Sequence, residues 1–372
     1  MKKIGITGQS GFVGKHLYNT IGLSPDNFQL VQFHKSFFEN KKLLDDFVSS
    51  CDVIVHLAGM NRHGDSHVIY DTNVSLAKQL VNSFERTKSK PHIIFSSSSQ
   101  EERDNPYGKS KREARLILSK WAIESGALFT GMVIPNVFGP FGNPFYNSVV
   151  ATFCHQIING DNPNIEVDGE LKLIYVGELI SEIIKAINSE YNEPEHSVAH
   201  TSVVKVSEIL ELLLVYKEQY LLKGIIPELR NTFELNLFNS FRCYEDIEAR
   251  FPVKFHKNID TRGSFTEIIR LNVGGQVSFS TTHPGIVRGN HFHTRKIERF
   301  AVIKGEALIQ LRQIGTNKVM NFHLSGNEPS YVDMPIWFTH SIKNIGKTEL
   351  YTIFWINEFY NPENPDTFFE TV

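Results

Sequence analysis

Cysteine is scarce in this chain of 372 residues, with only Cys51, Cys154 and Cys243 along its length. Three isolated thiols are an odd number and form no CxxC pair. That excludes a disulfide framework or a thiolate zinc knuckle and leaves small buried hydrophobes as their expected role. A strong charge of one sign is also lacking: the formal net charge is -3, and no block of Lys and Arg stands anywhere along the sequence. A generally basic nucleic-acid binder is thereby excluded. No apolar run approaches membrane-spanning length, and the strand-like residues Lys3-Ile4-Gly5-Ile6-Thr7 begin almost at once, leaving no room for a signal peptide. A cytoplasmic location is the expectation. Internal repeats and low-complexity tracts are absent as well.

What remains is a globular balance, with 41% hydrophobic and 21% charged residues, in a chain too long for one ordinary core. Two domains are expected, at residues 1–245 and 262–372, with 246–261 as a linker. In the first, short β-like runs (Ile4 to Thr7, Leu30 to Phe33, Val53 to Leu57, Ile93 to Ser96, Phe129 to Ile134) alternate with helical patterns. That repetition predicts a Rossmann-type, doubly wound parallel sheet in an α/β fold. Amphipathic helices follow over Val149 to Ile158, Val176 to Ile187 and Val206 to Leu222. Beyond Phe251-Pro252 and Asp260-Thr261-Arg262-Gly263, β-rich runs take over: Phe265 to Leu271, Gln276 to Thr281, Phe300 to Ile303, Ala307 to Arg312 and Leu350 to Trp355. Many short strands with Gly or Pro turns predict an all-β barrel or sandwich.

The first strand runs into Thr7-Gly8-Gln9-Ser10-Gly11-Phe12-Val13-Gly14, and a helix opens behind it. Glycines at 8, 11 and 14 suit a tight turn, close approach of a pyrophosphate to backbone N–H groups, and close helix–strand packing. Gly8, Ser10, Gly11, Phe12, Val13 and Gly14 are therefore candidate cofactor contacts. Where an NAD enzyme often carries Asp or Glu at the end of its second strand, this chain has His34-Lys35. A basic pair there would neutralise a 2′-phosphate, which predicts NADPH, while a solvated loop is the plainer reading.

After the fourth strand stand Ser96-Ser97-Ser98-Ser99 and then Asn105-Pro106-Tyr107-Gly108-Lys109-Ser110-Lys111. Tyr107 and Lys111, four apart on a helix, share one face. A free tyrosine ionises near pH ~10, so a nearby cation is needed for it to relay protons at neutral pH, and Lys111 supplies one. A serine hydroxyl at the strand end would bond a substrate carbonyl oxygen while the tyrosine protonates it.

These residues resemble the extended short-chain dehydrogenase/reductase family, over roughly residues 1 to 245. The resemblance rests on TGxxGxxG, the His56-Leu57-Ala58-Gly59 strand end, Asn73, the Ser/Tyr/Lys set and Pro135-Asn136-Val137-Phe138-Gly139-Pro140. It implies Ser98 as the catalytic serine beside Tyr107 and Lys111, with Ser97 and Ser99 still open. It also implies that Leu57, Ala58, Gly59, Asn73 and Pro135 border the cofactor and that Asn136 meets a nucleotide-sugar substrate. The stretch from the serines to Tyr107 is short for the family, which implies a more open cleft.

In the second half, Gly285-x5-His291-x-His293-x4-Glu298-x6-Gly305 precedes Pro335-x4-His340-x3-Asn344. Alternate residues on a strand point the same way, so His291 and His293 present two imidazoles to one side, and Glu298 and His340 from neighbouring strands would complete a metal site. The spacing resembles the two-part cupin motif over about residues 262 to 372, except that Trp337 stands where glycine is usual, which bears on the turn there and on the width of the pocket. Zinc is the first expectation for the ion, ahead of iron, manganese or nickel. His283, Lys296 and His323 are the titratable candidates nearby.

Reductase-then-cupin order, with Asp104-Asn105-Pro106-Tyr107, Asp260-Thr261-Arg262-Gly263-Ser264-Phe265-Thr266-Glu267 and Asn364-Pro365-Asp366-Thr367, resembles the bifunctional enzymes that make capsular-polysaccharide precursors. The resemblance implies C3 epimerisation of a UDP-linked 2-acetamido-2,6-dideoxy-4-hexulose followed by NADPH-dependent C4 reduction, in a homodimer, toward N-acetyl-L-fucosamine. Two readings compete with it: a keto-sugar reductase whose cupin is structural and dimerising, and a non-catalytic NADPH-sensing protein, against which the Tyr107/Lys111 pair argues.

Overall fold

A computed structural model of the chain describes residues 1–261 and 263–372. Arg262, where the second domain is expected to begin, lies outside the described residues. The chain forms two compact units, one of residues 1–152 and 165–209 and the other of residues 153–164 and 210–372.

The first unit is built on five strands that alternate with helices. They are β1 (Lys2–Thr7), β2 (Phe28–Val31), β3 (Val53–His56), β4 (His92–Ser98) and β5 (Phe129–Ile134); with the later strand Glu193–Ser197 they make a six-stranded sheet of order β2-β1-β3-β4-β5-(Glu193–Ser197). Every pairing in it is parallel. The order steps outward from β1, to β2 on one side and to β3 on the other, so the strand ends around β1 and β3 mark the switch point where such sheets open a crevice.

Why both faces are covered follows from β3, which reads Val53-Ile54-Val55 without a polar break. Side chains alternate across a strand, so Val53 and Val55 enter one core with Ile4, Ile6 and Leu17. Ile54 enters the other, with Phe47, Leu80 and Leu118. Helices α1 (Phe12–Gly22), α2 (Lys41–Ser49), α3 (Ser66–Thr87) and α4 (Pro106–Ser125) close these layers. The start of α4 is set locally: Asn105 Oδ1 accepts from Gly108 N at 2.7 Å and Pro106 occupies the first turn, so Tyr107 falls in that turn and Lys111 one turn later.

The second unit holds two five-stranded sheets, with antiparallel pairing throughout. One contains the strands Glu298–Lys304 and Leu350–Ile356, the other Val287–Phe292 and Phe338–Asn344. The strands from Val253 to Phe369 form the all-β architecture the Gly- and Pro-punctuated sequence implied, and the same unit also holds the helix Thr232–Arg242. In the same unit Arg299 is fully buried in a two-pronged ion pair with Asp333 (2.7 and 2.9 Å), and Asp333 also accepts from Tyr220 Oη at 2.8 Å.

Two expected elements come out differently. The run Val206 to Leu222 is an α-helix only over Val206–Tyr216 and widens into a π-helical turn over Lys217–Leu222. The run Phe265 to Leu271 is a strand only as far as Thr266; Arg270 then pairs with Glu267, and Leu271 makes an isolated parallel bridge to Ile226.

Candidate active site and candidate metal centre

A cavity of about 460 Å³ in the first unit begins at the glycine turn and ends at Tyr107. Gly8 holds φ 79°, a left-handed value that a side chain would strain, and a Cβ there would stand 2.7 Å from the backbone N of Ala58. At Gly14 a Cβ would lie 2.2 Å from the Gly8 carbonyl oxygen, so turn and helix meet only because both residues lack one. The N-cap of α1 is Gly11, with no side chain bonded to the first N–H groups and no acidic residue in the first turn. Those N–H groups, at the positive end of the helix, are open to an anion. The glycines therefore fit a dinucleotide pyrophosphate.

Gly8, Gly11, Phe12, Val13 and Gly14 line one part of this cavity, and Leu57, Gly59, Pro135 and Asn136 another. Ser10 is exposed on the turn, and Ala58 sits behind it, where its N–H donates to Thr7 Oγ1 at 3.4 Å. Asn73 is buried and shapes the loop instead: it accepts from Met60 N at 2.7 Å and donates to Ser110 Oγ at 2.9 Å. His34 and Lys35 are exposed beyond the end of β2, with His34 Nδ1 2.8 Å from Ser36 Oγ.

The three expected reaction residues come together. Ser96 and Ser98 project from one side of β4 and Ser97 from the other, as the pleat requires. Lys111 Nζ reaches Ser96 Oγ at 3.5 Å and lies 6.0 Å from the centre of the Tyr107 ring. Ser97 turns away to donate to Glu101, and Ser99 is exposed on the next turn. Ser98 is thus the member of the run that faces Tyr107.

Burial pushes the Tyr107 hydroxyl up to about 12; a hydrogen bond with Ser98 works the other way and Tyr146 adds to the rise. The lysine does not depress it as expected, because desolvation dominates the site. Burial likewise brings Lys111 down to about 8, opposed by the Glu101 carboxylate. The pair therefore keeps a protonated phenol beside an ammonium that titrates just above neutrality.

Sequence reasoning missed Asn61, Asn143 and Tyr146, which also line the cavity. Their loops are latched together by Asn147 Nδ2 donating to the Asn61 carbonyl at 3.0 Å and by Arg62 donating to the Phe145 carbonyl. The only local signal was the turn Gly142-Asn143-Pro144.

In the second unit, one nitrogen or oxygen from each of His291, His293, Glu298 and His340 lies within 4.8 Å of all the others. Two imidazoles come from one sheet, where Val287–Phe292 pairs with Phe338–Asn344 and His291 faces His340 across the ladder, and His293 follows directly after the end of the first of these strands rather than within it. Glu298 arrives from the facing sheet rather than from a neighbouring strand.

His293 Nε2 and His340 Nε2 stand 3.1 and 3.2 Å from Glu298 Oε2. All three atoms are buried and have no hydrogen-bond partner among the described residues. Leaving such lone pairs unmatched is costly unless a cation takes them up, and three nitrogens with one carboxylate suit a divalent transition ion. The Asp366 carbonyl bonds Nδ1 of His293, fixing the ring with Nε2 toward the cluster.

Burial, helped by His340, holds His291 down at about 4. For Glu298 burial favours the neutral acid, but His293 and His340 outweigh it and keep the carboxyl well below the usual range.

Trp337 keeps the turn that glycine usually makes, at φ 62°, with its indole stacked on Phe292. His283 is exposed near Glu349, at 3.5 Å. Lys296 is buried but spends its ammonium on the Pro365 carbonyl at 2.5 Å, and His323 is exposed.

Residues 4–199 match the NAD dependent epimerase/dehydratase family, and residues 258–368 match the polysaccharide biosynthesis C-terminal domain. The chain is 31% identical over 372 residues to UDP-2-acetamido-2,6-beta-L-arabino-hexul-4-ose reductase of Pseudomonas aeruginosa, covering 98% of each. The crystal structure of the capsular polysaccharide assembling protein CapF of Staphylococcus aureus is similar over 100% of both chains, at 35% identity and a TM-score of 0.64. The fold of RMD from Pseudomonas aeruginosa, solved with NADPH, covers 59% of this chain and 83% of its own at 20% identity and a TM-score of 0.53.

Proposed function

Because the chain belongs to the NAD dependent epimerase/dehydratase family, we propose that it is a bifunctional nucleotide-sugar enzyme, a UDP-2-acetamido-2,6-dideoxy-β-L-talose synthase. In this reading residues 262–372 invert C3 of a UDP-linked 2-acetamido-2,6-dideoxy-4-hexulose. Residues 1–245 then reduce C4, in the synthesis of N-acetyl-L-fucosamine for a capsule or O-antigen. The working form is a cytoplasmic homodimer; among the described residues no helix is long and apolar enough to cross a membrane.

The observation that carries the reading is the placing of Ser98, Tyr107 and Lys111 on the wall of a cavity that starts at the glycine turn. NADPH supplies the hydride when bound. Tyr107, held protonated by burial, gives its proton to the C4 oxygen, and Ser98 donates a hydrogen bond to the same oxygen. Lys111 holds the nicotinamide ribose, His34 and Lys35 meet the 2′-phosphate, and Asn136 contacts the sugar.

A ketone at C4 acidifies the hydrogen on C3. His291, His293, Glu298 and His340 would hold a divalent ion, zinc first, and it would supply Lewis-acid stabilisation of the negative charge left when that hydrogen is removed. The chain's part is to keep the imidazoles and the ionised carboxylate converging on one point.

The test is to supply the full-length protein with the UDP-keto sugar and NADPH. NADPH is expected to be consumed with formation of the C3-inverted C4 alcohol, and Tyr107→Phe is expected to stop consumption. An alcohol with C3 unchanged would leave a reductase alone and overturn the bifunctional reading.

A further inference from the structure

Between Ser98 and Tyr107 the chain makes one tight 3-10 turn, Ser99–Glu102, and then enters α4. So short a connection leaves few residues to fix the two hydroxyls relative to each other. A buried carboxylate in that turn does so. Glu101 accepts from Ser97 Oγ on β4 and from Arg115 on α4, at 2.9 and 3.2 Å from Nε and 2.7 Å from Nη2. The two side chains are 7% and 8% exposed.

Arg115 lies one helical turn beyond Lys111, on the same face of α4. Its remaining N–H groups reach the Pro194 carbonyl and Glu195, both at 2.9 Å, beside the last strand of the sheet. The turn also rests directly on the helix: a Cβ at Gly108, next to Tyr107, would lie 1.9 Å from the Gln100 carbonyl oxygen. Glu101 therefore joins the strand that carries the serine to the helix that carries the tyrosine and lysine.

We propose that Glu101, anchored by Arg115, is a positioning residue that sets Ser98 against Tyr107 and Lys111 for the reduction step. The inference rests on the reductase reading above. A buried ion pair is by itself weak evidence for stability, and here its geometry favours a role in placement. Glu101 touches neither the cofactor site nor the substrate site but one residue next to Ser98 and one helix face. It also adds to the positive character of Lys111, whose ammonium is otherwise surrounded by Tyr107 on its own helix, the Phe95 ring and Ser96 on β4, and His56 on β3.

The experiment compares the full-length wild-type protein with Glu101→Gln and the conservative Glu101→Asp. Steady-state reduction, NADPH binding by fluorescence and hydrogen–deuterium exchange are measured on each. For Glu101→Gln the expected result is a kcat lower by about tenfold to a hundredfold, the loss that roughly an ångström of misplacement gives. KM for the sugar and the affinity for NADPH stay near wild type, the upper pH limb of kcat moves to lower pH, and exchange quickens in residues 97–105 alone. Glu101→Asp recovers part of the rate.

Equal kcat and an unmoved pH limb in Glu101→Gln would overturn the proposal, as would a loss matched by a general fall in folded protein that Glu101→Asp shares. Should the wild-type protein consume no NADPH with the sugar, the reductase reading fails separately. Exchange in residues 97–105 then decides the placement, and unchanged protection in Glu101→Gln overturns it.

Discussion

Trp337 stacks on Phe292 with ring centroids 5.6 Å apart while its own backbone holds a φ of 62°. Two effects oppose each other at this residue. A left-handed backbone costs a non-glycine residue about 1–2 kcal/mol, whereas truncating a buried aromatic side chain costs about 3–5 kcal/mol. Trp337 is only 7% exposed, so the packing loss is felt nearly in full. Trp337→Gly is therefore expected to destabilise the barrel by about 2 kcal/mol, and thermal unfolding measures it. A higher melting temperature would mean that backbone strain dominates.

Gly14→Ala is expected to weaken NADPH binding by at least about tenfold, or ~1.4 kcal/mol. The added Cβ would meet the Gly8 carbonyl oxygen at 2.2 Å and Gln9 Cα at 2.8 Å, both backbone atoms that can yield only by moving the turn. Fluorescence titration reads the affinity, and the metal content should stay unchanged.

Lys111 gives the pH dependence. Burial lowers its folded value to about 8, against about 10.4 for a free lysine. Between those values the unfolded chain binds more protons, so this buried charge costs stability in full below about pH 8, and the cost is relieved as pH rises. Activity runs the other way, because the ammonium is the working form. The rate of reduction should fall as pH passes about 8, and Lys111→Met should be slow with that limb missing.

For the metal cluster, purified protein is expected to hold about one divalent ion per chain by elemental analysis. Glu298→Gln should lose most of it, since the carboxylate joins the facing sheet to the three imidazoles. An ion at 100 times its dissociation constant stabilises the folded chain by about 2.7 kcal/mol. A chelator should accordingly lower the melting temperature of the wild type and leave Glu298→Gln nearly unmoved.

Much of this was legible in the sequence because the signals are local. The alternation of short β-like runs with helical patterns announced a doubly wound parallel sheet, and the helical spacing of Tyr107 and Lys111 placed them on one face. The ladder through His291 and His340 was less legible, since Val287-Arg288-Gly289-Asn290 has no apolar alternation to mark a strand. That Glu298 comes from the opposite sheet depends on how two sheets face each other, which no spacing reports. The serine run could not be resolved by eye either, because four identical side chains differ only in which side of the pleat they occupy. Glu101 and Arg115 were invisible for a related reason: their pairing joins a turn to a helix, and either residue alone reads as a solvated charge.

The claim that two sites work on one ketone is tested most directly by NMR of the UDP-keto sugar incubated with the full-length protein in deuterated water without NADPH. Deuterium is expected to enter C3, and to stop entering when a chelator is added or when Glu298 is replaced by Gln. No deuterium at C3 in the metal-loaded protein would contradict the account and leave the barrel without a chemical step.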